Sequence, residues 1–394
     1  MQLFPWLNVF LWFSAIFWFV QMLGAFLYRR RLNRTRVPLP LDTRVDVVVP
    51  VFNEPPETLR RTLESLGACE RVNRIIVVDD GSSPPLQPVP GVQWITLEKN
   101  MGKREALVRG YEACVGEWVA CVDSDTRVDP MAFTRLLETA VSGGCGAVTG
   151  NVRLSNSRKN PLTRMIEVLY WFSFEQERCM QALVGSVCCM SGALYVIRRD
   201  IVLRNRESFL DQRVFGCRTR AGDDRHLTSL CLLEGCRVAV DPGALAYTET
   251  PYTPRTFAVQ QVRWVRSYTR ELVWLAPRAS RLPAAYGYVV FTDAYRYLYI
   301  CVFTLLLPLA PLEALLGMLV SGALHGLVGT LYTRRPSMIW WSMLFSLYGM
   351  VAVTPFLLYA LVTPHRDKWM SRESGHVRTC PEEGTESSLG PGRK

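Results

Sequence analysis

Gly222-Asp223-Asp224-Arg225-His226 opens the stretch that decides how this chain is read, and Gln260-Gln261-Val262-Arg263-Trp264 closes it. The first run sets two adjacent carboxylates behind a glycine. In the second, Gln260, Arg263 and Trp264 stand at i, i+3 and i+4, so on a helix they share one face. That face carries an amide, a fixed cation and a flat indole. An arginine fork neutralises phosphate oxygens, and an indole offers a sugar ring a flat surface. The set suits a site that handles a diphosphate and a sugar together.

Upstream, strand and helix patterns alternate. Val45-Asp46-Val47-Val48-Val49, Arg74 to Val78, Gln93 to Leu97 and Glu117 to Val122 read as strands, rich in β-branched residues and without helical period. Helical spacing returns at Thr58 to Leu66 and after Lys103. Such alternation implies an α/β fold with a mostly parallel, covered sheet. Ligands bind beyond the carboxyl ends of such strands. Asp79-Asp80 and Asp123-Ser124-Asp125 both sit at those ends. Asp123 and Asp125 have the hard oxygens that suit a divalent cation, Mg2+ or Mn2+, which would stabilise a leaving diphosphate. Asp79 is a candidate for the base or ribose of a nucleotide, or a turn-forming Asp before Gly81-Ser82. Phe52 and Glu54 would flank the nucleobase or cap their loop. Lys103 and Arg104 would contact phosphate or uracil, or form a solvated charge run.

The chain has 394 residues, 49% hydrophobic and with a net charge of +10. The apolar residues crowd towards the two ends, as expected for a soluble middle between membrane segments. Residues 5–28 carry no charge, and about 20 apolar residues suffice to span a bilayer. Arg29, Arg30, Arg31, Arg34 and Arg36 follow, which places the next residues in the cytosol and the N-terminus outside. Residues 287–310, 312–332 and 338–362 are further candidate spans, and three spans there would put the tail outside. Glu313 and His325 are candidates for a polar path within them. The 12 cysteines show no zinc spacing, and a reduced, cytosolic setting is expected. No nucleic-acid motif is present, so the basic balance points to a lipid bilayer and an anionic substrate. Residues 161–184 read as an interfacial helix or a core helix. The helix from Thr256 to Trp274 reads as amphipathic, with Arg263, Arg266 and Arg270 on a basic face able to lie on the inner leaflet.

The run GDDRHLTS, then YTETP and QQVRWVRSYTREL, resembles the hyaluronan synthases, membrane-embedded processive family-2 glycosyltransferases. The resemblance covers about residues 45–370 and implies a GT-A, Rossmann-like cytosolic domain with transmembrane and interfacial helices. It implies an inverting transfer with UDP-GlcNAc and UDP-GlcA as donors and a growing polysaccharide extruded across the plasma membrane. In that family the last Asp of the motif is the general base, which falls here on Asp224, with Asp223 supporting it. Gln260, Arg263 and Trp264 would serve the donor, Trp264 also the acceptor sugar. Ser191 and Gly192 would border the acceptor, although a tight turn before a strand at Leu194 to Ile197 fits them equally. The pair Asp223-Asp224 also fits a helix N-terminus. The family's cytosolic tryptophan motif is only partly matched, at Lys368-Trp369-Met370-Ser371-Arg372.

The expected domains are a transmembrane helix and basic flank at 1–36, a glycosyltransferase domain at 37–255, an interfacial helix region at 256–285, transmembrane helices at 286–370 and a disordered tail at 371–394. Two other readings stand beside the hyaluronan one. One is a chitin-type processive synthase with a single UDP-sugar; the other is a non-catalytic UDP-sugar-binding membrane protein.

Overall fold

The computed structural model describes residues 5–365, with side chains from residue 9 onward. The partial tryptophan motif around Trp369 and the tail at 371–394 lie outside the described residues. The strands are β1 Val45–Val51, β2 Val72–Asp79, β3 Gln93–Thr96, β4 Trp118–Cys121, β5 Arg127–Val128, β6 Cys145–Leu154, β7 Tyr195–Arg198, β8 Arg213–Val214, β9 Cys217–Arg218 and β10 Arg237–Thr248. Eight of them form a central sheet in the order β3-β2-β1-β4-β7-β6-β10-β5. The small hairpin β8–β9 stands apart. β3, β2, β1 and β4 run parallel, as the alternation predicts. β7 runs antiparallel between β4 and β6, a placement that strand periodicity does not reveal.

All seven residues of β1 are buried, which explains its nearly unbroken valine run. Asp46 is the exception in chemistry and not in burial. Its Oδ2 accepts from the Val115 and Gly116 amides at 2.8 and 2.9 Å, and its Oδ1 from Asn73 at 2.8 Å. A buried carboxylate saturated in this way ties the start of β4 to β1.

α2 Pro56–Gly67, α3 Lys103–Ala113 and α4 Ala132–Gly143 cover the sheet. α3 sits unusually close to β1, because Gly110 has no side chain: a Cβ there would overlap Val48 Cγ1. The sequence then gives α5 Pro161–Trp171, a π-helical segment Phe172–Glu177 and α6 Arg178–Leu183, where the spacing predicts one helix. These pack against α1 Pro5–Thr35 and the C-terminal helices. The short α7 Arg199–Arg204 and α8 Arg206–Leu210 precede α9 Asp223–Leu233 and α10 Pro254–Leu275.

α11 Tyr286–Leu309, α12 Pro311–Thr333, α13 Ser337–Tyr348 and α14 Thr354–Val362 complete the fold. Four segments are long and apolar enough to cross a membrane: Val9–Thr35, Tyr286–Leu309, Pro311–Thr333 and Ser337–Val362. α12 and α13 form a tight pair through Gly322 and Gly326, where a Cβ would run into the backbone at Met343 and Ile339. Close backbone approach of this kind is how apolar helices associate where burial from water offers no drive. Both ends of the last segment contact the catalytic side: Arg335 pairs with Glu167 of α5 at 3.2 Å, and Thr363 accepts from Arg266 of α10 at 2.9 Å.

Two expectations change. α10 does not rest freely on a leaflet by its arginines: Arg270 is buried, and Arg266 is taken up by Thr363 and the Tyr359 ring. The residues of α10 that are buried are Phe257, Arg270, Glu271, Trp274 and Leu275, while Val273 is exposed. Among the described residues, His325 packs against aromatic side chains, not beside other ionisable groups. Its ring lies edge-on between Trp18 and Phe172, and Nδ1 faces the Ser321 carbonyl at 2.7 Å. Glu313 is exposed at the start of α12.

Gly326→Val puts a branched side chain into the Ile339 backbone. We expect a loss of about 1–3 kcal/mol, the usual cost of overpacking, read as a lowered unfolding midpoint in detergent; an unchanged midpoint would refute the close α12–α13 contact.

Candidate active site

The site is built on Lys103, the first residue of α3. Its loop is held by Asp80, whose two carboxylate oxygens accept from the amides of Met101 at 2.7 Å and Gly102 at 2.9 Å. Gly81 has φ +72, and a Cβ there would strike the Lys99 backbone at 2.6 Å, so only glycine lets the two loops meet. Asp79 accepts from the Ser82 amide at 3.0 Å and is almost wholly buried. It therefore shapes the turn. With Asp80 it sets the position from which α3 starts. Sequence reasoning places Asp80 at a strand end but assigns it no role; its clamp on the Asn100-Met101-Gly102 loop joins segments about 20 residues apart.

From this anchor the Lys103 ammonium reaches Asp123 Oδ1 at 2.7 Å and Asp223 Oδ2 at 3.2 Å. The second contact is ionic rather than an aligned hydrogen bond. Gly192 lies over the same group: a Cβ there would stand 3.0 Å from Lys103 Nζ and 3.4 Å from Asp123 Oδ2. The turn reading of this segment also holds, since the Leu194 amide donates to the Ser191 carbonyl at 3.0 Å. Ser191 itself donates its amide to Thr149 Oγ1 at 3.0 Å. Four residues distant in sequence, Lys103, Asp123, Gly192 and Asp223, thus meet in one place.

Asp223 and Asp224 form the first turn of α9, where the helix dipole favours carboxylates. Their environments differ. Burial pushes Asp223 up, but Lys103 and Arg104 outweigh it and hold the carboxyl below its ordinary range. Burial, then Asp223, push Asp224 up against the opposing pull of Lys103. Neighbouring carboxyls driven apart in this way can take different roles. Burial pulls the Lys103 ammonium down, yet Asp123 and Asp223 more than reverse it and keep the group charged.

Arg104 corrects an expectation. It is buried, not part of a solvated charge run, and donates to the Phe209 carbonyl at 2.9 Å, Gln212 Oε1 at 2.7 Å and the Ala221 carbonyl at 3.1 Å. It fastens the backbone that leads into Gly222.

Glu54 accepts from Ser124 Oγ at 2.9 Å, which joins the end of β1 to the centre of the Asp123-Ser124-Asp125 run. Phe52 is exposed beside it. Asp125 is half-buried, with Thr126 Oγ1 at 3.5 Å from its Oδ1. Among the described residues no three metal-ligating side chains cluster. A cation held by Asp123 and Asp125 must complete its shell from phosphate and water, a donor set that fits Mg2+ or Mn2+.

α10 docks on the start of α9. Gly222, at φ +79, makes room for Ser267, whose Oγ would overlap a Cβ there. The Arg225 guanidinium stacks 4.8 Å from the Tyr268 ring centroid. Gln260, Arg263 and Trp264 lie on this helix, with Arg263 and Trp264 exposed. Trp264 stands 6.3 Å from the Tyr170 ring, a partner on α5 that sequence spacing does not reveal. Gln260 Oε1 is buried with no hydrogen-bond partner among the described residues.

Residues 46–204 match the family described as glycosyl transferase family 2. A protein of Bradyrhizobium diazoefficiens named N-acetylglucosaminyltransferase is 33% identical over 378 residues, covering 90% of this chain and 75% of that protein. One of the same name from Azorhizobium caulinodans is 30% identical over 355 residues, covering 85% and 89% respectively. The chain therefore belongs to glycosyl transferase family 2. Among solved structures, a mannosyltransferase from Pyrobaculum calidifontis in complex with GDP-Man and Mn2+ aligns with a TM-score of 0.51 at 17% identity, covering 88% of this chain and 96% of that one. That likeness bears out the GT-A fold.

If Asp224 accepts a proton during transfer, its raised pKa sets the acid limb of the rate. Lys103→Met removes a cation that lowers both Asp223 and Asp224. The acid limb of the transfer rate should then move to higher pH, with the rate falling earlier as pH drops; an unmoved limb would contradict this electrostatic arrangement.

Proposed function

We propose that the chain is a membrane-embedded, inverting and processive N-acetylglucosaminyltransferase of the chitin type, adding N-acetylglucosamine units from UDP-GlcNAc to a growing chain. The convergence of Lys103, Asp123, Gly192 and Asp223 beside Asp224 carries this reading. We read in it a cation for a diphosphate, carboxylate oxygens for a divalent ion, a place of close approach for an acceptor, and a carboxylate suited to take a proton. The single-donor form rests on the names of the relatives that match most of the chain.

In this mechanism Asp224 removes the proton from the acceptor hydroxyl. The freed oxygen attacks the anomeric carbon while the bond to the diphosphate breaks on the opposite face, so the configuration inverts and UDP leaves. Lys103 and Arg263 stabilise the negative charge that develops on the diphosphate. Gln260 Oε1 accepts from the donor, and Phe52 and Glu54 border its base. Trp264, with Tyr170 nearby, supports the acceptor ring. Asp123 and Asp125 would hold Mg2+ or Mn2+, which when bound neutralises phosphate charge.

We place the outlet for the product beside a polar seam at the head of the apolar helices. From Arg225 a polar seam continues through Tyr268 and Asp293 to Arg296, which pairs with Glu177. Polar side chains at the head of apolar helices suit a sugar chain leaving towards the membrane. The catalytic domain would face the cytosol, with the plasma membrane as the setting. Because both ends of the last apolar segment contact the catalytic side, we read that segment as lying along the cytosolic face.

A second reading keeps hyaluronan, from UDP-GlcNAc and UDP-GlcA together. The motif GDDRHLTS with QQVRWVRSYTREL favours it. Purified protein with Mg2+ or Mn2+ separates the two by UDP release from each donor alone and from both. Chitinase-sensitive product from UDP-GlcNAc alone is expected. Hyaluronidase-sensitive product formed only with both donors would replace the first reading by the second. UDP binding without turnover would mark a non-catalytic protein. Asp224→Asn should lower turnover on the order of 10²–10⁴-fold, the usual worth of a general base, with UDP affinity kept.

A further inference from the structure

A buried polar chain runs behind the site, and none of the steps above uses it. His226, two residues beyond Asp224, is fully buried. Its Nδ1 faces Glu271 Oε1 and Oε2 at 3.1 and 3.2 Å, and its Nε2 faces the Ser208 carbonyl at 3.1 Å. Both partners are acceptors, so a ring N–H on either side has an oxygen to donate to. Phe209 stacks parallel to the ring at 6.2 Å and Trp274 meets it edge-on at 4.5 Å. The imidazole therefore has no freedom to turn away.

The chain extends in both directions. Gln212 Nε2 donates to Glu271 Oε2 at 2.7 Å, and Gln212 Oε1 accepts from Arg104 at 2.7 Å. Arg104 follows Lys103 directly. Glu271 lies about two turns along α10 from Arg263. One hydrogen-bonded path thus joins the neighbour of the site's lysine, the helix turn that bears Asp224 and the helix that bears Arg263. Burial pushes Glu271 up, but His226, Ser229 and Gln212 hold it below its ordinary range.

We propose that His226 and Glu271 are positioning residues for the transfer reaction, their buried pair setting the spacing between Asp224 and the Arg263 helix. This rests on the transferase reading above. Other described contacts between α9 and α10 include the packing of Gly222 on Ser267, the stacking of Arg225 on Tyr268 and the edge-on approach of Trp274 to His226; the bond from the imidazole to the Glu271 carboxylate adds a fixed direction and distance to them. A buried polar pair of this kind is a weak source of stability, since well-packed apolar residues often do as well. Geometry is what such a pair provides, and a displacement of about 1 Å at a reacting group costs roughly 10²-fold in rate.

The test uses the full-length protein in detergent with Glu271→Gln, His226→Gln and the double variant. Three quantities are read: kcat for UDP release, UDP affinity by calorimetry, and the unfolding midpoint. Each single variant should lose about 10–100-fold in kcat and keep UDP affinity within about twofold. In the double variant the neutral amide pair should restore much of any lost stability while kcat stays low. The reason is reach: the amide introduced by His226→Gln cannot bond to α10 and to the Ser208 carbonyl at once, as the imidazole does. Recovery of kcat together with stability would show a merely structural pair and overturn the proposal. So would a folded variant with kcat within about twofold of wild type. If the single variants do not fold, the double variant and Gln212→Ala carry the same comparison. A wild-type protein that turns over no donor overturns the transferase reading, and this inference with it; active wild type with fully active variants overturns the inference alone.

Discussion

Asp123, Asp223 and, one residue further, Asp224 come from two separate chain segments and crowd around one ammonium, that of Lys103. Without that cation the carboxylates would repel one another in a partly dry cleft, where charge interactions are strong. With it, Asp123 and Asp223 are paired at 2.7 and 3.2 Å from Lys103 Nζ, and Asp224 is left as the more basic neighbour of Asp223. The arrangement depends on α3 starting where it does. Gly110 lets that helix settle against Val48, and Asp80 clamps the loop before it.

The same logic links the soluble domain to the apolar helices. α9 carries the acidic pair and α10 the cation and indole, and they meet through Gly222 and Ser267. α10 in turn is gripped by the end of the last apolar segment through Arg266 and Thr363. The membrane-like part is thus tied to the helix that bears the candidate leaving-group and acceptor residues. The candidate site and the apolar helices therefore share a frame. Helices that pack through glycine contacts, as α12 and α13 do, give that frame stiffness without polar groups.

Much of this was legible in the chain itself. The valine-rich strands, the acidic residues at their ends, the charge-free run at 5–28 and the spacing of Gln260, Arg263 and Trp264 each follow from local periodicity or composition. The pattern Gly-Asp-Asp supports both a site and a helix start, and the structure shows the second as fact: both carboxylates lie in the first turn of α9. The hyaluronan assignment rests on motif likeness, while the relatives that match most of the chain are named N-acetylglucosaminyltransferases. Short motifs report shared chemistry more readily than the identity of the sugar, because the diphosphate end of a donor is common to many substrates.

What the sequence by itself determined was the α/β alternation, the apolar segments and the set of acidic, basic and aromatic residues available for chemistry, since these depend on neighbours within a few residues. Tertiary structure decided which of them meet. It turned Arg104 inward to Gln212, though Lys103 beside it faces the site. It buried Arg270 on a face that looked exposed, and it set β7 antiparallel among parallel strands. It also joined His226 to Glu271, 45 residues apart. Each of these is settled by contacts between distant segments, where burial and hydrogen-bond satisfaction outweigh local preference.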